Sequence, residues 1–243
     1  MNQMNLNLMS SPFRNPLCVA LDVDTDQQAL QLVKDLGDIV GGFKIGPRLC
    51  LRYGEKFTQE IAKIAPVFVD NKHFDIPSTM EAAIRTSFSS GASLVTVHAL
   101  SGCEALQLMA KTERELNQIR PFKILAVTVL TSWDQSSLPE SLKPMKVDEH
   151  VQSLARLVQE SGLNSIVCSS HELSFFNDKK LYKVTPGIRF ELDKLGDQKR
   201  VMGPRQAIEQ GAQLLVVGRP IIAAKNPREA ATEYLKAIYE GCN

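Results

Sequence analysis

A chain of 243 residues that is 44% hydrophobic holds enough apolar material for one large α/β core. Its 28 basic and 27 acidic residues leave a net charge of +1, so no field of one sign covers it, and neither nucleic acid nor an anionic membrane surface is the expected partner. Five dispersed cysteines without a C-x-x-C pair argue for a reducing, cytoplasmic setting, and the four histidines show no ligand spacing with them that would suggest a metal site.

Residues 1–15 are polar, lack the pattern of a secretory signal and read as a flexible segment; residues 16–243 read as one domain. The apolar runs, about five to nine residues long, are too short to span a bilayer. They alternate with amphipathic stretches at helical spacing. "LCVALDV" (17–23) is a predicted strand, and "DQQALQLVKDL" (26–36) the helix after it. "GGFKIG" precedes the helix "CLRYGEKFTQEIAKI", and "PVFVDNK" precedes "TMEAAIRTSFSSG". "SLVTVHAL" is followed by "CEALQLMAKTERELNQI". "KILAVTVL" leads through a Pro-rich loop at 138–144 to "VDEHVQSLARLVQESG". "NSIVCSS" precedes a weak helix near 171–182. "KVTPGI" precedes a polar stretch, 189–203, that reads as a lid, and then "PRQAIEQG". "QLLVVGRPII" and "PREAATEYLKAIYEG" close the chain.

Eight strand–helix units in roughly 230 residues is the arithmetic of a single-domain (β/α)8 TIM barrel. Strands rich in Val, Ile and Leu suit a parallel sheet covered by helices. A doubly wound open sheet is the alternative, but no G-x-G-x-x-G loop follows the first strand.

In a barrel the C-terminal strand ends face one mouth. Those ends read Asp22, Lys44, Asp70 with Lys72, His98, Thr131 with Ser132, Ser169 with Ser170, Pro186 with Gly187, and Gly218 with Arg219. Alternation puts Asp70 and Lys72 on one face of the third strand, and Asn71 and Phe68 are expected to point toward the helices. A solvated ion pair is the bland reading of one Asp and one Lys. Alternating charges on three neighbouring tips cost desolvation, and such arrays persist where they do chemistry. Gly218 allows close backbone approach to a ligand, and Arg219 offers a planar donor fork suited to phosphate.

The run "DNKHFDIPST" (70–79) resembles the Asp-x-Lys-x-x-Asp motif of the orotidine 5'-phosphate decarboxylase family. "LDVD", "FKIG", "TVLTS", "VTPGIR", "DQKRV" and "VVGRPI" follow the family's order over about residues 16–235. The resemblance implies cofactor-independent conversion of orotidine 5'-monophosphate to UMP and CO2, the last step of de novo pyrimidine nucleotide synthesis. It implies Lys72 as proton donor to C6, Asp70 against the substrate carboxylate, Lys44 on the array and the ribose, and Asp22 on a ribose hydroxyl. Thr131 and Ser132 would read the pyrimidine edge; Gln198 and Arg219 would hold the phosphate, with Gly218, Arg189 and Pro186 nearby. Asp75, Ile76 and Thr79 belong to the implied binding set, with Asp75 and Thr79 reaching the partner site of a homodimer. Asn71, His73, Phe74 and Ser78 depart from the pattern common among bacterial members, away from the charged positions. Two rivals stand beside this reading: a Mg2+-dependent sugar-phosphate aldolase or decarboxylase of the same barrel group, and a non-catalytic nucleotide-binding barrel.

Overall fold

The computed structural model describes residues 11–176, 178, 180–190 and 202–240. Eight parallel strands close into a barrel in chain order. They are β1 (Leu17–Ala20), β2 (Gly42–Ile45), β3 (Val67–His73), β4 (Ala92–His98), β5 (Lys123–Val127), β6 (Ser165–Val167), β7 (Tyr182–Pro186) and β8 (Leu214–Val217). The outer helices are α1 (Asp26–Leu36), α2 (Pro47–Ala62), α3 (Pro77–Ser89), α4 (Gly102–Asn117) and α5 (Val147–Glu160), then α6 (Pro204–Glu209), α7 (Arg219–Ile222) and α8 (Pro227–Tyr239). The weak helix expected near 171–182 is a 3-10 helix at Ser170–Phe175.

Local chemistry sets the helix starts. Thr25 caps α1 by accepting from Gln28 N at 3.2 Å, and Asn226 caps α8 by accepting from Glu229 N at 3.2 Å. Pro occupies the first turn of α2, α3, α6, α7 and α8, where its missing N–H costs nothing. The spacing of Ala29, Leu32, Val33 and Leu36 turns one stripe of α1 onto the barrel, and the other long helices follow suit.

The core has two layers. A large shell fills the space between strands and helices, and a smaller cluster including Cys18, Phe68, Leu94, Leu125 and Leu214 fills the barrel itself. Phe13 belongs to that inner cluster and is only 3% exposed. Arg14 donates to Gly37 O at 3.1 Å and Asn15 to Ile39 O at 2.8 Å. Residues 11–15, expected within a flexible segment, are therefore packed under the barrel. An apolar ring and two backbone-bonding side chains anchor them; residues 1–10 lie outside the described set.

One strand pair departs from a regular ladder. Val69 pairs with Val95 and His73 with Val97, so residues 70–72 of β3 bulge opposite Thr96 alone. Among the described residues, Lys72 is the non-glycine residue with positive φ, at 49°.

Candidate active site

The mouth at the C-terminal strand ends is a cavity of about 310 Å³. Asp22, Lys44, Asp70 and Lys72 line one side of it. Thr131 and Ser132 line the loop after β5, while Pro186, Arg189, Gly218 and Arg219 line the β7–β8 side. Val127, Val167 and Val184 form an apolar wall on the remaining arc. The barrel thus divides its mouth into a charged half and an apolar half.

The four charged groups alternate in space as they do in sequence. Lys44 Nζ stands 3.4 Å from Asp22 Oδ1 and 3.6 Å from Asp70 Oδ2, and Lys72 Nζ donates to Asp70 Oδ1 at 2.8 Å. The inner pair is largely buried, Lys44 at 13% and Asp70 at 14% side-chain exposure, while Asp22 is 57% exposed. Burial works to neutralise Asp70, but Lys44, Lys72 and hydrogen bonds from Lys72 and Thr96 outweigh it and hold the carboxyl below its usual range. Burial likewise opposes the Lys44 charge, and Asp70 and Asp22 overturn it, raising the ammonium above its usual value. Each group makes the other's ionised form tolerable in a site that neither could occupy alone.

Several expected tip residues lie elsewhere. His98 turns out of the mouth: its ring stacks on Phe74 at 5.6 Å and its Nδ1 accepts from Leu100 N at 3.3 Å. Ser169 and Ser170 are buried at the head of the 3-10 helix, where Ser169 N donates to Glu172 Oε2 at 2.8 Å. Phe68 corrects the expectation in the other direction. It shares the parity of Asp70 and Lys72, lines the cavity below them, and does not face the helices. Asn71 does face outward, into a separate pocket with Cys50 and His73.

Asp75, Ile76 and Thr79 are exposed and lie outside the lining of their own chain's cavity. Gln198 and most of the expected lid, residues 191–201, lie outside the described residues. The two ends of that stretch meet at the mouth, where Arg189 N donates to Met202 O at 3.1 Å. At Gly218 an added Cβ would rest 3.6 Å from Ala20 Cβ and 3.7 Å from Asp22 Oδ2, ordinary contacts, so lack of space is not what requires glycine there.

Sequence reasoning missed Thr96. It is fully buried in β4, donates to Asp70 Oδ1 at 2.9 Å and accepts from Lys72 N at 2.9 Å. The sequence signal was alternation: in "SLVTVHAL" Thr96 lies two residues before the tip residue His98 and so on the same face of the strand.

Fold and site define the class, a (β/α)8 barrel whose C-terminal mouth is organised around an Asp-Lys-Asp-Lys array. The family follows from comparison. The orotidine 5'-phosphate decarboxylase / HUMPS family model matches residues 15–234, and the chain belongs to that family. It is 40% identical over 228 residues to an orotidine 5'-phosphate decarboxylase of Carboxydothermus hydrogenoformans, covering 91% of this chain and 95% of that one. A Legionella pneumophila (strain Paris) protein of the same name is 37% identical over 226 residues, 91% of this chain and 98% of its own. The crystal structure of orotidine 5'-phosphate decarboxylase from Lactobacillus acidophilus superimposes with a TM-score of 0.79 at 28% identity, covering 92% of this chain and 99% of that one.

Proposed function

We propose that this protein decarboxylates orotidine 5'-monophosphate to UMP and CO2 without a cofactor, as the last step of de novo pyrimidine nucleotide synthesis. The observation that carries the reading is the alternating Asp22–Lys44–Asp70–Lys72 array in the mouth of a chain of this family.

The bond that breaks joins C6 of the pyrimidine to its carboxylate. Its electron pair stays on C6 in the ring plane, where the π system delocalises it poorly. Lys72 stands where an ammonium would stabilise that developing lone pair and then pass a proton to C6; in many active sites preorganised charge of this kind lowers the barrier more than any other effect. An arginine would stabilise but not readily protonate, because it hardly releases its proton. Asp70 lies against the substrate carboxylate, and their repulsion ends as neutral CO2 leaves toward the apolar wall. Lys44 holds Asp70 in place and, with Asp22, contacts the ribose. Thr131 and Ser132 meet the pyrimidine edge; Pro186, Arg189, Gln198, Gly218 and Arg219 serve the phosphate end. Grip on the phosphate, remote from C6, supplies binding energy that can be used to desolvate the site.

The same reading makes the protein a homodimer in which Asp75 and Thr79 complete the partner's site, with Ile76 beside them in the binding set. Its support is that these residues miss their own mouth and that Phe74 and Ile76 beside Asp75 are 63% and 64% exposed apolar side chains. A cytoplasmic setting fits Cys18, Cys50, Cys103 and Cys168, which form no disulfide, and no described helix is long and apolar enough to cross a membrane.

The donor set does not fit the divalent cation of the aldolase reading. Asp22 and Asp70 are both engaged by Lys44, and two ammonium groups flank Asp70. Chelator-treated protein is expected to consume orotidine 5'-monophosphate, seen as loss of orotidylate absorbance, and Lys72→Ala to lower turnover by about 10³-fold or more while UMP still binds. Activity abolished by chelator favours the aldolase group; UMP binding without turnover in the wild type favours the non-catalytic barrel.

A further inference from the structure

We infer that Thr96 is a positioning residue that sets both catalytic side chains of β3, through a hydroxyl that bonds the Asp70 carboxylate and the Lys72 backbone at once. The inference deepens the proposed decarboxylase reading and rests on it for its kinetic consequences.

The need for such a group arises in the backbone. In a regular parallel ladder, each residue of β3 would meet one residue of β4. Here Val69 pairs with Val95 and His73 with Val97, leaving three residues of β3 opposite one of β4. A bulge leaves its extra residues outside the ladder, so the Lys72 N–H has no strand carbonyl to meet. Thr96 Oγ1 accepts that N–H at 2.9 Å. The bulge also places Lys72 at φ 49°, a conformation that a side chain other than glycine adopts only when its surroundings impose it.

The other half of the clamp concerns charge. Asp70 Oδ1 receives two donors, Lys72 Nζ at 2.8 Å and Thr96 Oγ1 at 2.9 Å, while Oδ2 faces Lys44. Lysine side chains rotate freely and do not fix the plane of a carboxylate. A hydroxyl on a β-branched, fully buried threonine does, because its χ1 is stiff and its Cβ is packed. One oxygen therefore ties the carboxylate to the backbone of the residue that carries the proton. A displacement of about 1 Å at Lys72 Nζ is enough to cost on the order of 10²-fold in rate.

The chemistry of the position is specific. Valine keeps the shape and β-branch but offers neither donor nor acceptor; serine keeps both. Thr96→Val is expected to lower kcat for orotidine 5'-monophosphate by about tenfold or more, with KM and the affinity for UMP within about threefold of wild type. Thr96→Ser is expected to keep kcat within about threefold of wild type. Hydrogen exchange read by NMR provides an arm independent of turnover: the Lys72 amide is protected in wild type and Thr96→Ser, and loses protection in Thr96→Val. Wild-type kcat in folded Thr96→Val, a Thr96→Ser as slow as Thr96→Val, or an unchanged Lys72 amide in Thr96→Val each overturn the role of Thr96. A wild type that leaves orotidine 5'-monophosphate intact, with the amide pattern as expected, overturns the decarboxylase reading and leaves the clamp standing.

Discussion

Asp70 and Lys44 hold each other's charge, and the sign of each shift follows from which charge it faces. His73 and His98 show the opposite case. Burial depresses both, with the Lys72 charge adding to the effect at His98, so the folded chain resists protonating them. The unfolded chain takes up those protons below about pH 6.5 and the folded one only at lower pH. Unfolded protein binds more protons in that window, so stability rises with pH through it and is lost as pH falls below about 6.5. The melting temperature should therefore drop between pH 7 and pH 5, and the drop should be smaller in His73→Asn. Equal slopes in the two proteins would show that His73 titrates freely. The window for Asp70 is separate: its contribution is present above about pH 3.9 and lost as pH falls through its lower folded value.

Strands place these residues and tolerate little change where they meet. Gly42 opens β2 at the base of the barrel, and a Cβ there would lie 2.4 Å from Pro66 O and 2.5 Å from Phe13 Cε1. Pro66 O accepts from Phe43 N at 2.9 Å, so it cannot retreat without loosening the β2–β3 ladder. Gly42→Ala should destabilise the protein by about 1–3 kcal/mol, measured by urea unfolding. Phe13→Ala in the same background should recover part of that loss, because it removes the ring contact and leaves the Pro66 O clash; no recovery would show that Phe13 does not press on β2. At the upper end of β3 the departure from regularity has another cause. A left-handed Lys72 costs about 1–2 kcal/mol, and the bulge that holds it is tied to β4 by the Lys72 N–H, which donates to Thr96 Oγ1 at 2.9 Å.

At the scale of the whole molecule, one barrel has one mouth, yet part of the motif points away from it. Asp75 follows Lys72 by three residues but is exposed, its Oδ1 accepting from the adjacent Ile76 N at 2.7 Å. The proposed homodimer explains that arrangement, because each Asp75 would serve a mouth on the other chain. Lys72→Ala and Asp75→Asn should each be nearly inactive alone. Co-refolded in equal amounts they should recover about a quarter of wild-type activity, since half the dimers are mixed and each mixed dimer has one intact site. No recovery would place Asp75 in its own chain's chemistry or outside it altogether.

The periodicity of apolar runs was enough to count eight strand–helix units, and hence to name a closed barrel, because burial alternates with the geometry of each element and leaves its period in the residue order. Alternation put Asp70 and Lys72 on one face for the same reason, whereas Asp75 was marked only by the resemblance of the motif to a known family. Other features depended on contacts between segments far apart in the chain. Phe13 is core because the barrel base offers it Gly42, not because its neighbours are apolar. His98 leaves the mouth because Phe74 receives its ring. Thr96 matters because a bulge in the adjacent strand presents it with a carboxylate and an unpaired amide. A sequence lists donors and acceptors in order; only packing decides which of them meet, since hydrogen bonds and ion pairs depend on distance in space and not along the chain.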